Sequence, residues 1–368
     1  MNEEKIEREF TKKETDRRCP SCGGTMNFSP ETGGLVCPFC GRKEQIEAGE
    51  GSGELDFFAA ESTENCDWGS AKKFVICESC GAELVYDELN ISSKCPYCDS
   101  NLVMQESSED TMAPGGVCPF TVTKEQAGSR FLSWLKGKLF CPSKVKKQAK
   151  AREMQGVYLP YWTFDCDTDS EYRADYSKSH TRTVNGKTET YTTWHNTSGY
   201  YSRSFDDEET VASDRYDASL LAGIGKFDTQ NNVEYKPEYV AGFAAERYSI
   251  GLKDAWERVK AVISRLLRSD VRKKVKHEES ADSVNVTALN TTFSNITYKY
   301  LLLPVWISSF KYNDKVYSFM VNGRTGKVAG KYPISPWRVL AAVGIVLAIV
   351  IVGYLLFRDG DAGSVYYY

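Results

Sequence analysis

The apolar positions of this chain change their period along its length. Within residues 123–155, Phe131, Trp134, Leu135 and Leu139 fall on one helical face, while Lys136, Lys138, Lys144, Lys146, Lys147, Lys150 and Arg152 make the rest basic. That pattern predicts two helices. A third is predicted over 252–276, where Leu252, Trp256, Val259, Ile263 and Leu266 keep helical spacing among nine Lys or Arg and three Asp or Glu. Between these helices the spacing turns to that of strands. Thr181–Val184, Asn185–Gly186 and Lys187–Trp194 predict a hairpin with a type I′ turn, its alternating Thr and Tyr suited to a half-exposed sheet. A second β region is expected over 298–328, with turns at Asn313–Asp314, Asn322–Gly323 and Thr325–Gly326. Leu159-Pro160-Tyr161-Trp162 and Leu303-Pro304-Val305-Trp306 repeat one strand opening, which suggests an internal duplication.

The last pattern has no period. Val339–Phe357 is 19 residues without a charge, a helix of about 28 Å, close to the apolar thickness of a bilayer. Arg338, Arg358, Trp337 and Tyr354 flank it as interfacial anchors, so a single membrane span is expected over 337–358. Arg324, Lys327, Lys331 and Arg338 before it, against Arg358, Asp359 and Asp361 after it, place the N-terminal bulk in the cytoplasm and the tail 359–368 outside. The opening Met1–Phe10 has no apolar run of the secretory type, in keeping with that orientation.

In a reducing compartment, regular cysteine spacing points to metal ligation rather than to disulfides. Cys19, Cys22, Cys37 and Cys40 form two Cys-x-x-Cys pairs separated by 14 residues, and Cys77, Cys80, Cys95 and Cys98 repeat the arrangement. Two such turns complete a tetrahedral shell of four thiolates, the closed, structural type of zinc site, so two structural Zn2+ ions are expected; a shell of four sulfurs also suits iron. Pro after the first cysteine and Gly after the second supply the turn chemistry in Cys19–Gly23 and Cys37–Gly41, and Thr25–Phe28 and Leu84–Tyr86 read as the strands between knuckles. Each ribbon has too few apolar residues for its own core, so metal binding should supply its folding energy. Cys66, Cys118, Cys141 and Cys166 have no pair spacing and read as small packing residues.

The resulting fold class is α+β and multi-domain: an N-terminal segment (1–14), zinc ribbon 1 (15–46), a flexible acidic linker containing Gly49, Gly51 and Gly53 (47–70), zinc ribbon 2 (71–107), a mixed α+β core with antiparallel sheet (111–336), the membrane helix and a short tail. The chain's charge is uneven: residues 1–110 carry 11 basic and 23 acidic side chains, residues 111–336 carry 33 and 25. An acidic ribbon region disfavours the alternative of a nucleic-acid-binding protein of replication or transcription, because cationic side chains provide most affinity for phosphate. Catalytic motifs do not emerge. His180, His195 and His277 suit surface or sheet-packing roles, Asp165, Asp167 and Asp169 alternate along one strand face that could hold a cation but reads better as solvated, and Gly323–Lys327 fails the phosphate-loop spacing. A non-enzymatic protein is expected, its basic helices either near anionic lipid or simply solvated.

With these features placed, the chain resembles a bacterial family of membrane-anchored zinc-ribbon proteins, labelled transcription-factor-IIB-type zinc-ribbon or primosomal protein N-prime-like. The paired ribbons, Gly156–Phe164 (GVYLPYWTF), Leu303–Trp306 and above all Val321–Val328 (VNGRTGKV) carry the likeness, which covers nearly the whole chain. It implies a scaffold in envelope stress that recruits cytosolic partners of the SPFH or phage-shock type to the membrane. It does not imply helicase activity, since neither a nucleotide-binding loop nor a helicase motor is present in the sequence.

Overall fold

The computed structural model describes residues 19–59 apart from 25, 48 and 50, the backbone of three strands between 72 and 106, and residues 114–360 apart from 149–153, 185, 214–216, 247 and 314. Strands β1 (Asn27–Ser29), β2 (Gly34–Val36) and β3 (Lys43–Glu44) form a small antiparallel sheet. Short strands β4 (Leu55–Asp56), β5 (Lys72–Cys77), β6 (Glu83–Asp87), β7 (Met104–Glu106) and β8 (Gly116–Val117) come next, then helices α1 (Lys124–Gly137) and α2 (Ser143–Gln148). The hairpin of β9 (Gln155–Val184) and β10 (Lys187–Val211) precedes α3 (Ala218–Ile224), β11 (Val233–Glu234), β12 (Ala244–Ala245) and α4 (Leu252–Glu278). The chain closes with β13 (Ser283–Tyr312), β14 (Lys315–Asn322), β15 (Val328–Gly330) and α5 (Pro336–Gly360). This is a mixed α+β fold built on mostly antiparallel sheet.

Its axis is the antiparallel ladder of β9 and β13, strands of 30 residues each that pair over about 75 Å. The ladder runs from Gln155↔Ile307 to Ser177↔Ser283. Along the other edge of β9 lie β12, parallel at Val157 and Tyr158, and then β10 from Tyr161 onward. Along the other edge of β13 lie β4 at Thr297–Tyr298, β8, parallel at Leu301–Leu302, and β14 from Val305. The two repeated openings face each other in this ladder, with Leu159 opposite Leu303. Each proline stands where the outer partner changes: Pro160 between β12 and β10, Pro304 between β8 and β14. A residue without an N–H is tolerated there because no outer strand claims that donor.

Side-chain parity decides what each face of the ladder meets. Tyr158, Trp162, Phe164, Tyr298, Tyr300, Leu302 and Trp306 point into a large cluster with Phe131 and Leu135 of α1 and Trp256, Val259 and Ile263 of α4. Val157, Leu159, Tyr161, Leu301, Leu303 and Val305 point the other way, against Leu220, Leu221 and Ile224 of α3 and Phe227. Residues 157–164 are thus buried on both faces, whereas 165–176 alternate, the even positions lying beneath α4 and the odd ones turned toward solvent. Helix α4 buries Val259, Ile263, Leu267, Val271 and Val275, a row at intervals of four. The expected Leu266 is at the exposed edge of that row and Leu267 takes its place.

The predicted hairpin 181–194 is only the tip of β9–β10. Its full length does not show in the hydrophobic pattern because the solvent face of 165–176 is polar and the strand carries an apolar signal on one side only. The two-residue turn falls where it was read, between paired Val184 and Lys187 with Gly186 at φ +76°, and Asn185 lies outside the described residues. The later turns also hold: Asn313 adopts φ +48° and Gly326 φ +71°, and the buried Asn322 side chain accepts from the N–H groups of Arg324 (2.9 Å) and Thr325 (3.0 Å). The first part of the expected linker lies against the core. Ser52 N–H donates to Asn232 Oδ1 (2.8 Å), β4 pairs with β13, and a Cβ on Gly51 would come within 2.7 Å of the Asn232 carbonyl oxygen. Gly51 therefore serves close approach, a use of glycine that sequence does not separate from flexibility. Among the described residues, one apolar helix has the length and composition of a membrane span: Pro336–Tyr354 has a mean hydropathy of 2.2 and none of it is buried against the protein.

Candidate metal centre

Two tight turns set the first four thiols. In Cys19–Gly23 the chain doubles back so that Gly23 N–H donates to Cys19 O (2.8 Å), and in Cys37–Gly41 the Gly41 N–H donates to Cys37 O (2.9 Å). Both glycines adopt left-handed backbone, φ +73° and +74°, which any side chain would strain. The β1–β2 hairpin, with Phe28 opposite Leu35, folds the second turn onto the first. As a result Cys19 Sγ lies 3.4 Å from Cys40 Sγ and Cys22 Sγ 3.5 Å from Cys37 Sγ, and all four sulfurs fall within 4.8 Å of one another. Four thiolates around an ion at ~2.3 Å define a tetrahedron with edges of about 3.8 Å, so the group could hold one metal ion.

The electrostatics fit a site built for a cation. Burial opposes charge on Cys19, yet the N–H groups of Ser21 and Cys22 and the Cys40 thiol bring it down to about 6; the Cys40 N–H likewise lowers Cys37. Cys22 receives the Gly24 N–H, but the crowding sulfurs of Cys37 and Cys40 push it up to about 12, and Cys19 raises Cys40 against the Arg42 N–H. Four thiolates this close repel one another, so the set gives up its protons fully only as a cation compensates the charge. The set is closed: every position is a thiolate, which leaves no site for water or substrate.

This module does not stand alone. Cys19, Met26, Phe28, Leu35 and Cys37 are buried in the same cluster as the sheet core. The Phe28 ring packs against Tyr239 at 5.8 Å and Phe243 at 6.4 Å, and its N–H donates to Ala241 O (3.0 Å). Of the second cysteine set, Cys77 ends β5, but its side chain and all of Cys80, Cys95 and Cys98 lie outside the described residues, as does Cys66. Cys118, Cys141 and Cys166 are buried, and burial pushes Cys118 and Cys166 up to about 12. These are packing thiols, as their isolated spacing implied.

A second group of acidic side chains includes Asp165, which is half-buried and not on a solvated face as its alternation with Asp167 and Asp169 suggested. Asp165 lies between two bulges at the same level of the sheet, one at Asp206–Asp207 in β10 and one at Asn295–Ile296 in β13, with Asp207 at φ +48° and Asn295 at φ +50°. The bulges and β4 bring Asp206 and Glu54 to Asp165, three carboxylates within 4.8 Å. Burial and the hydrogen bond with Glu54 raise Asp165 to about 7, while Glu54 is lowered by that same contact, so the pair holds one proton between them. The ammonium of buried Lys299 stands 2.9 Å from Asp207 and 3.5 Å from Glu54. The chain itself thus supplies a cation here. Asp167 and Asp169 instead accept from Ser204 and Ser202 on the exposed face. Signals for Glu54 and Asp206 are absent from any motif, because their approach depends on two bulges and an edge strand.

His180 stacks on Tyr191 and His195 on Tyr176, at 5.2 and 5.3 Å, consistent with sheet-surface roles. No family profile matches the sequence, and no solved structure matches it. The chain is similar to the uncharacterized protein YdjG of Bacillus subtilis (strain 168), with 29% identity over 348 residues that cover 92% of this chain and 97% of that protein.

Proposed function

We propose that the chain is a non-enzymatic, membrane-anchored scaffold carrying two structural zinc ribbons, which recruits cytosolic partners to the inner face of the membrane in envelope stress. The observation that carries this reading is the pairing of a closed four-thiol cluster with an apolar helix left unburied. A closed shell of four sulfurs stabilises a shape and offers no open coordination position, which suits a docking element more than turnover. Zinc is the favoured ion, the 2-14-2 repeat at Cys77, Cys80, Cys95 and Cys98 forms the second site, and α5 inserts with its N-terminal side in the cytoplasm. Partners of the SPFH or phage-shock type follow from the family resemblance.

Elemental analysis of the full chain in detergent tests the core of this reading. Two zinc ions per chain are expected, falling to one in either Cys37→Ser or Cys95→Ser. Affinity capture from membranes should enrich an SPFH or phage-shock protein with the intact chain and lose it when both cysteine sets are replaced. A metal-free chain, or one that partitions wholly with the soluble fraction, would sink the proposal.

A further inference from the structure

The loop between α1 and α2 and the foot of α5 form one surface. Ser335 N–H donates to Phe140 O (2.9 Å), and Arg338 reaches back with one Nη to Leu139 O (2.9 Å) and with the other to Ser143 Oγ. Around these bonds the apolar residues divide sharply. Phe131, Leu135, Cys141 and Val145 are buried, whereas Leu139 is 70% exposed, Ile334 61% and Trp337 79%. Three large apolar side chains are therefore left uncovered at the end of the core from which the chain departs into α5.

The charge next to them has one sign. From Lys136 to Gln148 there are five lysines and no acidic residue. Lys138 lies over the Trp134 ring at 4.5 Å and Lys146 Nζ donates to Lys136 O (2.7 Å), while Lys136, Lys144 and Lys147 are exposed. Exposed apolar side chains and exposed lysines at the foot of an apolar helix match the layered chemistry of a bilayer surface, where acyl chains meet anionic headgroups.

We propose that this surface is a footing on anionic lipid: Leu139, Ile334 and Trp337 enter the headgroup level, and Lys136, Lys144 and Lys147 bind lipid phosphates. The inference rests on reading α5 as a membrane span. Arg338 and Ser335 fasten the loop to the helix, so the footing fixes the core's orientation to the bilayer rather than letting it swing on a tether.

The test uses the full chain in nanodiscs of phosphatidylcholine alone or mixed with phosphatidylglycerol, read by amide hydrogen exchange over residues 136–147. Exchange should be several-fold slower in the phosphatidylglycerol discs, about fivefold for each lysine engaged. High salt should remove that difference in the unaltered protein. Replacing Lys136, Lys144 and Lys147 with Gln should do the same while exchange in α4 stays unchanged, and Leu139→Ser should speed exchange in both discs. Equal exchange in the two kinds of disc, whether slow or fast, overturns the footing. A chain that fails to enter either disc overturns the span reading instead.

Discussion

The cysteine module of residues 19–46 and the doubly buried slab of β9 and β13 are held by different forces. In the slab, Trp162, Tyr158, Phe164 and their partners across β13 exclude water on one face, Leu159 and Leu303 on the other, and the ladder satisfies its own backbone. In the module the apolar contribution is a few side chains, and the four-thiol cluster could hold an ion. The difference teaches that metal removal and core mutation should damage separate parts of one molecule, coupled through the seam where Phe28 meets Tyr239, Phe243 and the Ala241 carbonyl.

The strongest way to break this division is Trp162→Ala. The indole is fully buried and its Nε1–H donates to Ile250 O (2.9 Å), so the loss should be about 3–5 kcal/mol. Urea unfolding of the full chain in detergent should show that drop, while metal content before unfolding stays at the wild-type level. A metal loss in step with the core would dissolve the distinction.

A smaller change probes the seam. Phe28→Leu keeps an apolar residue but gives up the ring contacts, at about 1 kcal/mol. The module should open more often, and a chelator should take its metal about fivefold faster, with the urea midpoint of the core scarcely moved. If the chelation rate is unaltered, the module folds without help from the core.

The smallest effect concerns the slab's own charges. Asp165 sits at about 7 because burial and Glu54 favour its neutral form, against roughly 4 in an unfolded chain. The folded state therefore binds the proton more tightly, so this group's contribution to stability is present below pH 4 and is lost progressively as pH rises through 7. Glu209, raised to about 7 by burial, acts in the same direction. Asp165→Asn should flatten the fall in unfolding midpoint between pH 5 and 8 relative to wild type. An unchanged slope would show that the carboxyl is as free as those on the exposed face.

How much of this was readable from sequence follows the same division. The geometry of the four-cysteine cluster was legible because four spacings and two glycines encode it locally, and α4 was legible because its apolar row repeats over 27 residues. Long-range placement was not. Nothing near Gly51 announces that Asn232 will press against it, and nothing near Glu54 announces Asp165 and Asp206. These depend on how β4 and two bulges line up across distant strands. Leu266 and Leu267 illustrate an intermediate case, since helical period alone leaves a choice between neighbours that only the facing sheet resolves.

The placement of Pro160 and Pro304 has a consequence for how the chain reaches its fold. A ladder about 75 Å long offers many near-equivalent alignments, and a slip by two residues keeps every side chain on its proper face. With a proline in each long strand, such a slip would set an imide nitrogen where β10, β12, β8 or β14 needs a donor. The two rings thereby act as alignment pins, rejecting shifted pairings that hydrophobicity by itself would accept.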